Sequence, residues 1–247
     1  MYSQAGSTAL EADIHRLVLW NIDLTLVDVA KVSRVAFAAA FRTVTGRALV
    51  KLPQMAGRSE PEIFFDALAL NGVDLREASS ADLLPPFSAQ FAAALTAQRD
   101  QLTAEGRVLP GARESMAGVA KLTGVVPSVL TGTSKPVAVL KLQVFGLAEY
   151  ADPDVGGFGG SEPYPKGTLL RVARQRAEEK YGVSLADGAT IYIADSPRDV
   201  EAAHVGGAVS VAVASGPTGA SELRDAGADH VLEDLTDTAR LISIITT

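Results

Sequence analysis

Four short runs of apolar, strand-prone residues punctuate the chain: Leu17–Trp20, Val125–Leu130, Thr190–Ala194 and Val209–Val213. They are continuous rather than alternating, the pattern of strands buried on both faces. Each stops at small or polar residues and is followed, after turn residues, by a helix-like stretch. Strand, turn and helix in repetition predict an α/β fold, a Rossmann-like, doubly wound and mostly parallel sheet.

The interval 32–106 breaks that rhythm. Val32–Val44 reads as a helix ended near Gly46. Glu60–Leu70 places Ile63, Phe64, Ala67 and Leu68 on one face and stops at Asn71-Gly72. Phe87–Leu102 is rich in Ala and Gln and also helical. No convincing strand occurs there. The α/β pattern resumes after the turn chemistry of Leu109-Pro110-Gly111. The expected organisation is a core of residues 1–31 plus 107–247, with an all-helical cap, 32–106, inserted after the first strand. Met1 to Ile14 is small and polar and reads as a loose leader. No internal repeat or low-complexity block is present.

Composition narrows the function. The chain has 247 residues, 47% of them apolar, ample for a full core. Lys plus Arg is 22 and Asp plus Glu is 29, a net charge of −7, which argues against a general nucleic-acid binder. The absence of cysteine excludes a disulfide scaffold, a thiolate metal site and a cysteine nucleophile. No apolar stretch approaches the ~18 residues of a membrane span. Met1 to Arg16 lack a basic start followed by an apolar run, so no secretory signal is expected. A cytoplasmic protein, monomer or homodimer, is the expectation.

Ligands of open parallel sheets bind beyond the carboxyl ends of the strands. Asn21, Asp23 and Thr25 follow the first run, and Thr131 and Gly132 the second. Asp195 and Asp199 follow the third, and Lys166 opens a later helix. Carboxylates gathered at one edge repel, and a divalent cation relieves them. An oxygen-only set suits Mg²⁺, and Lys with Thr suits a phosphate sharing that metal.

These residues resemble the four motifs of the haloacid dehalogenase superfamily of phosphohydrolases. Its D-x-D-x-T stands here as Asn21-Ile22-Asp23-Leu24-Thr25, and its strand-closing Ser or Thr as Ser128-Val129-Leu130-Thr131-Gly132. Its helix-opening Lys or Arg stands as Pro165-Lys166-Gly167, and its D-x-x-x-D as Asp195-Ser196-Pro197-Arg198-Asp199. The helical insertion is similar to the family's C1-type cap, as in phosphoglycolate phosphatases and β-phosphoglucomutases. The resemblance implies an aspartate nucleophile at position 21, forming an aspartyl-phosphate, and Asp23 as acid and base. It implies Thr131, the Gly132 N–H and Lys166 on the phosphate, and Thr25 supporting the first loop and the phosphate site. It also implies Mg²⁺ on residue 21, the Asp23 carbonyl, Asp195 and Asp199. Gly57-Arg58-Ser59 resembles a substrate-facing cap loop, in which Arg58 would meet an anionic or polar substrate group or lie exposed at the helix start.

One position departs from the family. Residue 21 is Asn, and a carboxamide is a poor, uncharged nucleophile, so turnover would fall by ~10⁴–10⁶. Three readings compete: an Asp→Asn replacement engineered to trap substrate, a natural pseudo-enzyme, and a shifted strand register. The spacing of Asp23 and Thr25 argues against the last, and the intact remaining motifs favour the first. The expected activity is Mg²⁺-dependent hydrolysis of a small phosphomonoester. The alternatives are a phosphomutase, or a non-catalytic binder of phosphorylated ligands. Lys135 rivals Lys166. Gly156-Gly157-Phe158-Gly159-Gly160 fails the dinucleotide spacing and reads as a flexible loop. His15, His204 and His230 are scattered and read as structural or surface residues.

Overall fold

The computed structural model describes residues 14–73, 80–160 and 165–247. The expected leader, apart from Ile14, and Ser161–Tyr164 lie outside them. In chain order the elements are β1 (Arg16–Trp20), β2 (Val27–Asp28), α1 (Ala30–Thr45), α2 (Glu60–Leu70), α3 (Ser80–Ala97), α4 (Arg99–Glu105), β3 (Arg107–Val108), α5 (Ala112–Val119), β4 (Val125–Thr131), α6 (Lys135–Val144), β5 (Gly157–Phe158), α7 (Lys166–Tyr181), β6 (Thr190–Ala194), α8 (Pro197–Gly206), β7 (Val209–Val213), α9 (Ala220–Asp225), β8 (His230–Leu232) and α10 (Thr238–Thr246).

Six strands form one parallel sheet in the order β5-β4-β1-β6-β7-β8. Alternation across the pleat explains the continuous apolar run of β1. Val18 and Trp20 enter one core, and Leu17 and Leu19 enter the other, against Leu169, Leu170 and Ala173 of α7. The register sets Trp20 opposite both Val129 of β4 and Ile193 of β6. The carboxyl ends of β1, β4 and β6 therefore finish side by side, at the point where the strand order leaves β1 in both directions.

Helices α1–α4 lie between β2 and β3, which pair as a short antiparallel ribbon closed by the Asp28–Arg107 ion pair. Their interior is aromatic: Phe64 stacks on Phe87 at 4.1 Å between centroids, and Phe37 meets Phe87 edge-on at 4.8 Å. Helix α2 starts with a capping box between Ser59 and Glu62. The helix expected over Phe87–Leu102 starts earlier and is interrupted at Gln98, giving α3 and α4. No helix among the described residues is long and apolar enough to cross a membrane.

The glycine segment 156–160 corrects the flexible-loop expectation. Gly157 and Phe158 form edge strand β5 beside Leu130 and Thr131. A Cβ on Gly157 would meet Leu130 Cδ1 at 2.4 Å, and one on Gly159 would meet the Gly132 carbonyl oxygen at 1.9 Å. Close backbone approach, not mobility, requires these glycines.

Candidate active site

The loop after β1 turns sharply on backbone bonds: Leu26 N–H donates to Ile22 C=O, and Leu24 N–H to Val27 C=O. Leu24 takes φ of 61°, a left-handed conformation that a branched side chain resists. The strain is held by the Ser215 hydroxyl, which donates to Leu24 C=O at 2.7 Å.

Asn21 is buried at the mouth of β1. Its Nδ2 is aimed at three acceptors: Asp23 C=O at 2.9 Å, Thr25 Oγ1 at 3.1 Å and Asp195 Oδ1 at 2.9 Å. Its Oδ1 accepts from Lys166 Nζ at 3.3 Å. Lys166, in the first turn of α7, also donates to Asp199 at 2.8 Å. Asp199 is fully engaged. Its Oδ1 also accepts from Tyr192 at 2.8 Å, and its Oδ2 accepts from Ser196 at 2.5 Å. Burial, reinforced by the charge of Asp199, pushes Asp195 up to about 6 against Thr25, Lys166 and Asn21. Burial likewise raises the Tyr192 phenol well above its ordinary range, leaving it a donor to Asp199.

A cavity of about 560 Å³ opens over these strand ends, within the usual range for a small-molecule site. Asn21, Asp23, Thr131, Gly132, Lys166, Asp195 and Arg58 line it. Thr25 and Asp199 stand behind that lining. The Thr25 hydroxyl donates to Asp195 at 2.7 Å. Lys135 lies away from it, exposed and paired with Asp154 at 2.9 Å. The Arg58 guanidinium is taken by Asp66 at 2.6 Å and by the carbonyls of Gln54 and Glu62. His204 bonds Asp229 and Ser210 at the far end of β7, and His230 opens β8.

The insertion closes directly on this site. Glu60 N–H donates to Gly132 C=O at 2.7 Å. A Cβ on Gly132 would lie 2.2 Å from the Arg58 carbonyl oxygen, and one on Gly57 would lie 2.5 Å from Ser196 Oγ. Glycines at both contacts let the insertion and the core approach this closely.

Two residues in the cavity wall escaped the sequence reading. Lys141 of α6 is buried and donates to both oxygens of Asp23, at 2.7 and 2.6 Å. Its only signal was a charge three and four residues after Ala138 and Val137, on the apolar face of the helix. Glu60 is 3% exposed, on the same face of α2 as Ile63 and Phe64. Burial pushes it up to about 7; the Ser88 hydroxyl, the Ser134 backbone and Lys141 pull the other way.

Among the described residues no three His, Asp or Glu side chains are grouped to hold a metal. The available set is Asp195, the Asp23 carbonyl and the Asn21 carboxamide, whose reversed orientation would present oxygen at the same 2.9 Å spacings. Hard oxygen donors at that spacing fit a small divalent cation. The reversal would also turn the amide nitrogen toward Lys166.

A parallel α/β fold with an oxygen-and-lysine site across its central strand ends defines the class. The chain belongs to the haloacid dehalogenase-like hydrolase family, which matches residues 18–204. Solved structures with the same fold include a hydrolase from Pseudomonas syringae (TM-score 0.65, 21% identity, covering 94% of this chain and 99% of that one). Others are a protein described as a predicted phosphoglycolate phosphatase from Haemophilus somnus 129pt (0.61, 19%, 92% and 98%) and CbbY from Rhodobacter sphaeroides in complex with phosphate (0.62, 19%, 90% and 96%). No curated protein matches the sequence.

Proposed function

We propose that this chain has the architecture of a cytoplasmic, Mg²⁺-dependent phosphatase of small phosphomonoesters, divided into a core (1–31 and 107–247) and a cap (32–106). With Asn21 at the nucleophile position, it binds its substrate without appreciable turnover. The observation that carries this is the convergence of Asn21, Asp23, Thr131, Gly132, Lys166 and Asp195 on one cavity under a closed helical insertion.

A phosphate in the cavity would meet the Thr131 hydroxyl, the Gly132 N–H and the Lys166 ammonium. Lys166 balances its charge without a proton transfer. Asp23 faces the cavity with both oxygens held by Lys141, so its carboxyl is oriented for the proton exchanged with leaving alcohol and water. Asp195, the Asp23 carbonyl and residue 21 would hold Mg²⁺, which supplies charge neutralisation to the phosphoryl oxygens; Asp199, expected among the metal ligands, has its oxygens taken by Lys166, Tyr192 and Ser196 and would act behind them. The packed insertion covers one side of the cavity and reduces its access to bulk water. With Asn at 21 the attacking carboxylate is missing, and the other groups remain a binding site.

Asn21→Asp tests this. Metal-dependent release of phosphate from a panel of monoesters supports the phosphatase. Transfer of the phosphoryl group to another oxygen of the same molecule identifies a mutase instead. A natural binding protein is favoured by the full engagement of the Asn21 carboxamide. Inactivity of both forms, with retained ligand binding, decides for it.

A further inference from the structure

Away from the strand-end groups, much of the accessible cavity wall is apolar. Leu24 follows β1, Leu52 and Met55 come from the segment before α2, and Pro217 precedes α9; none of the four is fully buried. The side-chain oxygens of Glu60 and Ser33 are buried and closed to a ligand. Three of the cavity's four cations are already committed. Arg58, the expected cation of the cap loop, is spent on Asp66 and on the carbonyls of Gln54 and Glu62. Lys141 is paired with Asp23, and Lys166 with Asp199. Arg34 of α1 differs. It lines the cavity, is exposed, and has neither an ion pair nor a hydrogen bond among the described residues. It follows Ala30 by four residues, so both lie on the helix face that borders the cavity, Arg34 about 6 Å farther along the axis.

An uncommitted guanidinium keeps its planar fork of donors for an incoming anion, and a carboxylate matches that fork with two parallel hydrogen bonds. The wall beside it selects in the same direction. A polyol would give up water to leucine, methionine and proline without regaining its hydrogen bonds, whereas an apolar body gains from the same contact. We propose that Arg34 and the apolar wall form a second subsite, which takes the far end of the ligand. The pocket then selects phosphomonoesters whose leaving group is a short apolar body ending in a carboxylate. This rests on the phosphomonoester reading above, with the phosphate at the strand ends and the carboxylate at Arg34. It sets the pocket apart from one shaped for a sugar phosphate.

The test is calorimetric binding to the Asn21 chain, with and without Mg²⁺, so that activity is not needed. The probes are inorganic phosphate, glycerol 1-phosphate, phenyl phosphate, 4-carboxyphenyl phosphate and 4-(aminomethyl)phenyl phosphate. Phenyl phosphate should bind more tightly than glycerol 1-phosphate. The carboxyl ester should bind about five- to tenfold more tightly again, the range of a partly exposed charged pair, and the amine should be the weakest aryl ester. Arg34→Gln should abolish the carboxylate preference and leave phenyl phosphate and inorganic phosphate unchanged; Arg34→Lys should keep part of it. The side chain is exposed, so the fold tolerates both substitutions. Equal binding of the carboxyl and phenyl esters overturns the proposal, as does a preference that survives Arg34→Gln or tighter binding of the amine. Loss of inorganic phosphate in Arg34→Gln also overturns it, by placing Arg34 on the phosphate itself. Tighter binding of glycerol 1-phosphate than of phenyl phosphate overturns it and points to Gln54, exposed in the same wall. Each of these failures, other than the loss of phosphate affinity, leaves the phosphomonoester reading standing. Failure of inorganic phosphate to bind the parent chain under any condition defeats that reading, and this proposal with it.

Discussion

Asn21→Asp exchanges a donor for a charge at the most crowded point of the site, and its consequence for stability can be worked from the distances. The lost NH₂ group serves Asp23 C=O, Thr25 and Asp195. A carboxylate oxygen in its place would face three acceptors, one of them a carboxylate 2.9 Å away. Two unit charges at that separation repel by about 6 kcal/mol at an effective dielectric of 20. Proton sharing caps the cost, because Asp195 already titrates at about 6 and a second carboxylate pushes the pair further up. A net loss of about 2–4 kcal/mol is expected at pH 7.5 without divalent cation, about the penalty for one or two unsatisfied buried acceptors. Mg²⁺ at 100 times its dissociation constant should restore about 2.7 kcal/mol.

The Asn21 chain should respond much less. Its amide nitrogen already occupies the position between Asp195 and the Asp23 carbonyl, and reversing the amide for a cation sets that nitrogen against Lys166 Nζ, 3.3 Å from the present oxygen. Urea unfolding with and without Mg²⁺ measures both effects. Trp20 is a built-in reporter: it is the single tryptophan, fully buried and adjacent to residue 21. Equal stability of the two chains without metal, or equal stabilisation of both by Mg²⁺, would refute the assignment of residue 21 to the metal set.

Gly132→Ala should prevent the insertion from seating, because its Cβ would lie 2.2 Å from the Arg58 carbonyl oxygen; faster proteolysis around residues 57–59 checks it. In the Asn21→Asp background, Lys141→Met should lower kcat/KM by about tenfold or more through release of Asp23, yet cost little stability because the Asp23 side chain is 38% exposed; steady-state kinetics and urea unfolding separate the two effects. Glu60 binds its proton more tightly folded than unfolded, 4.5 moving to about 7, so its contribution to stability falls as pH rises through that window and is about 3 kcal/mol lower above it. The stability difference between Glu60→Gln and the parent should therefore shift by about that amount between pH 4.5 and pH 8 in denaturation curves, and a constant difference would contradict the buried carboxyl. Ser59→Ala should cost about 1 kcal/mol by breaking the capping box of α2, measured by thermal unfolding.

Strands β1, β4, β6 and β7 were legible because each is buried on two faces and is apolar at most positions. The edge strand β5 and the β2–β3 ribbon are two residues long and carry no pattern; β5 exists because glycines let it lie against Leu130 and Leu169. The site divides along the same line. Asn21, Asp23, Thr131 and Asp195 sit where strands end, so chain order alone brings them near one edge once the sheet is parallel. Lys141 and Glu60 reach the cavity from helix faces that are otherwise apolar. A single charge there differs from its neighbours only through what the helix packs against, and that contact spans 118 residues for Lys141 and Asp23. Apart from Lys166, which opens α7, the groups suited to phosphate and metal chemistry come from strand ends, the part of the fold least free to vary in position. Glu60 comes from the insertion that packs on top. Residues carried by the insertion are placed by helix packing rather than by strand register, so the strand-end groups are more readable from sequence than those above them.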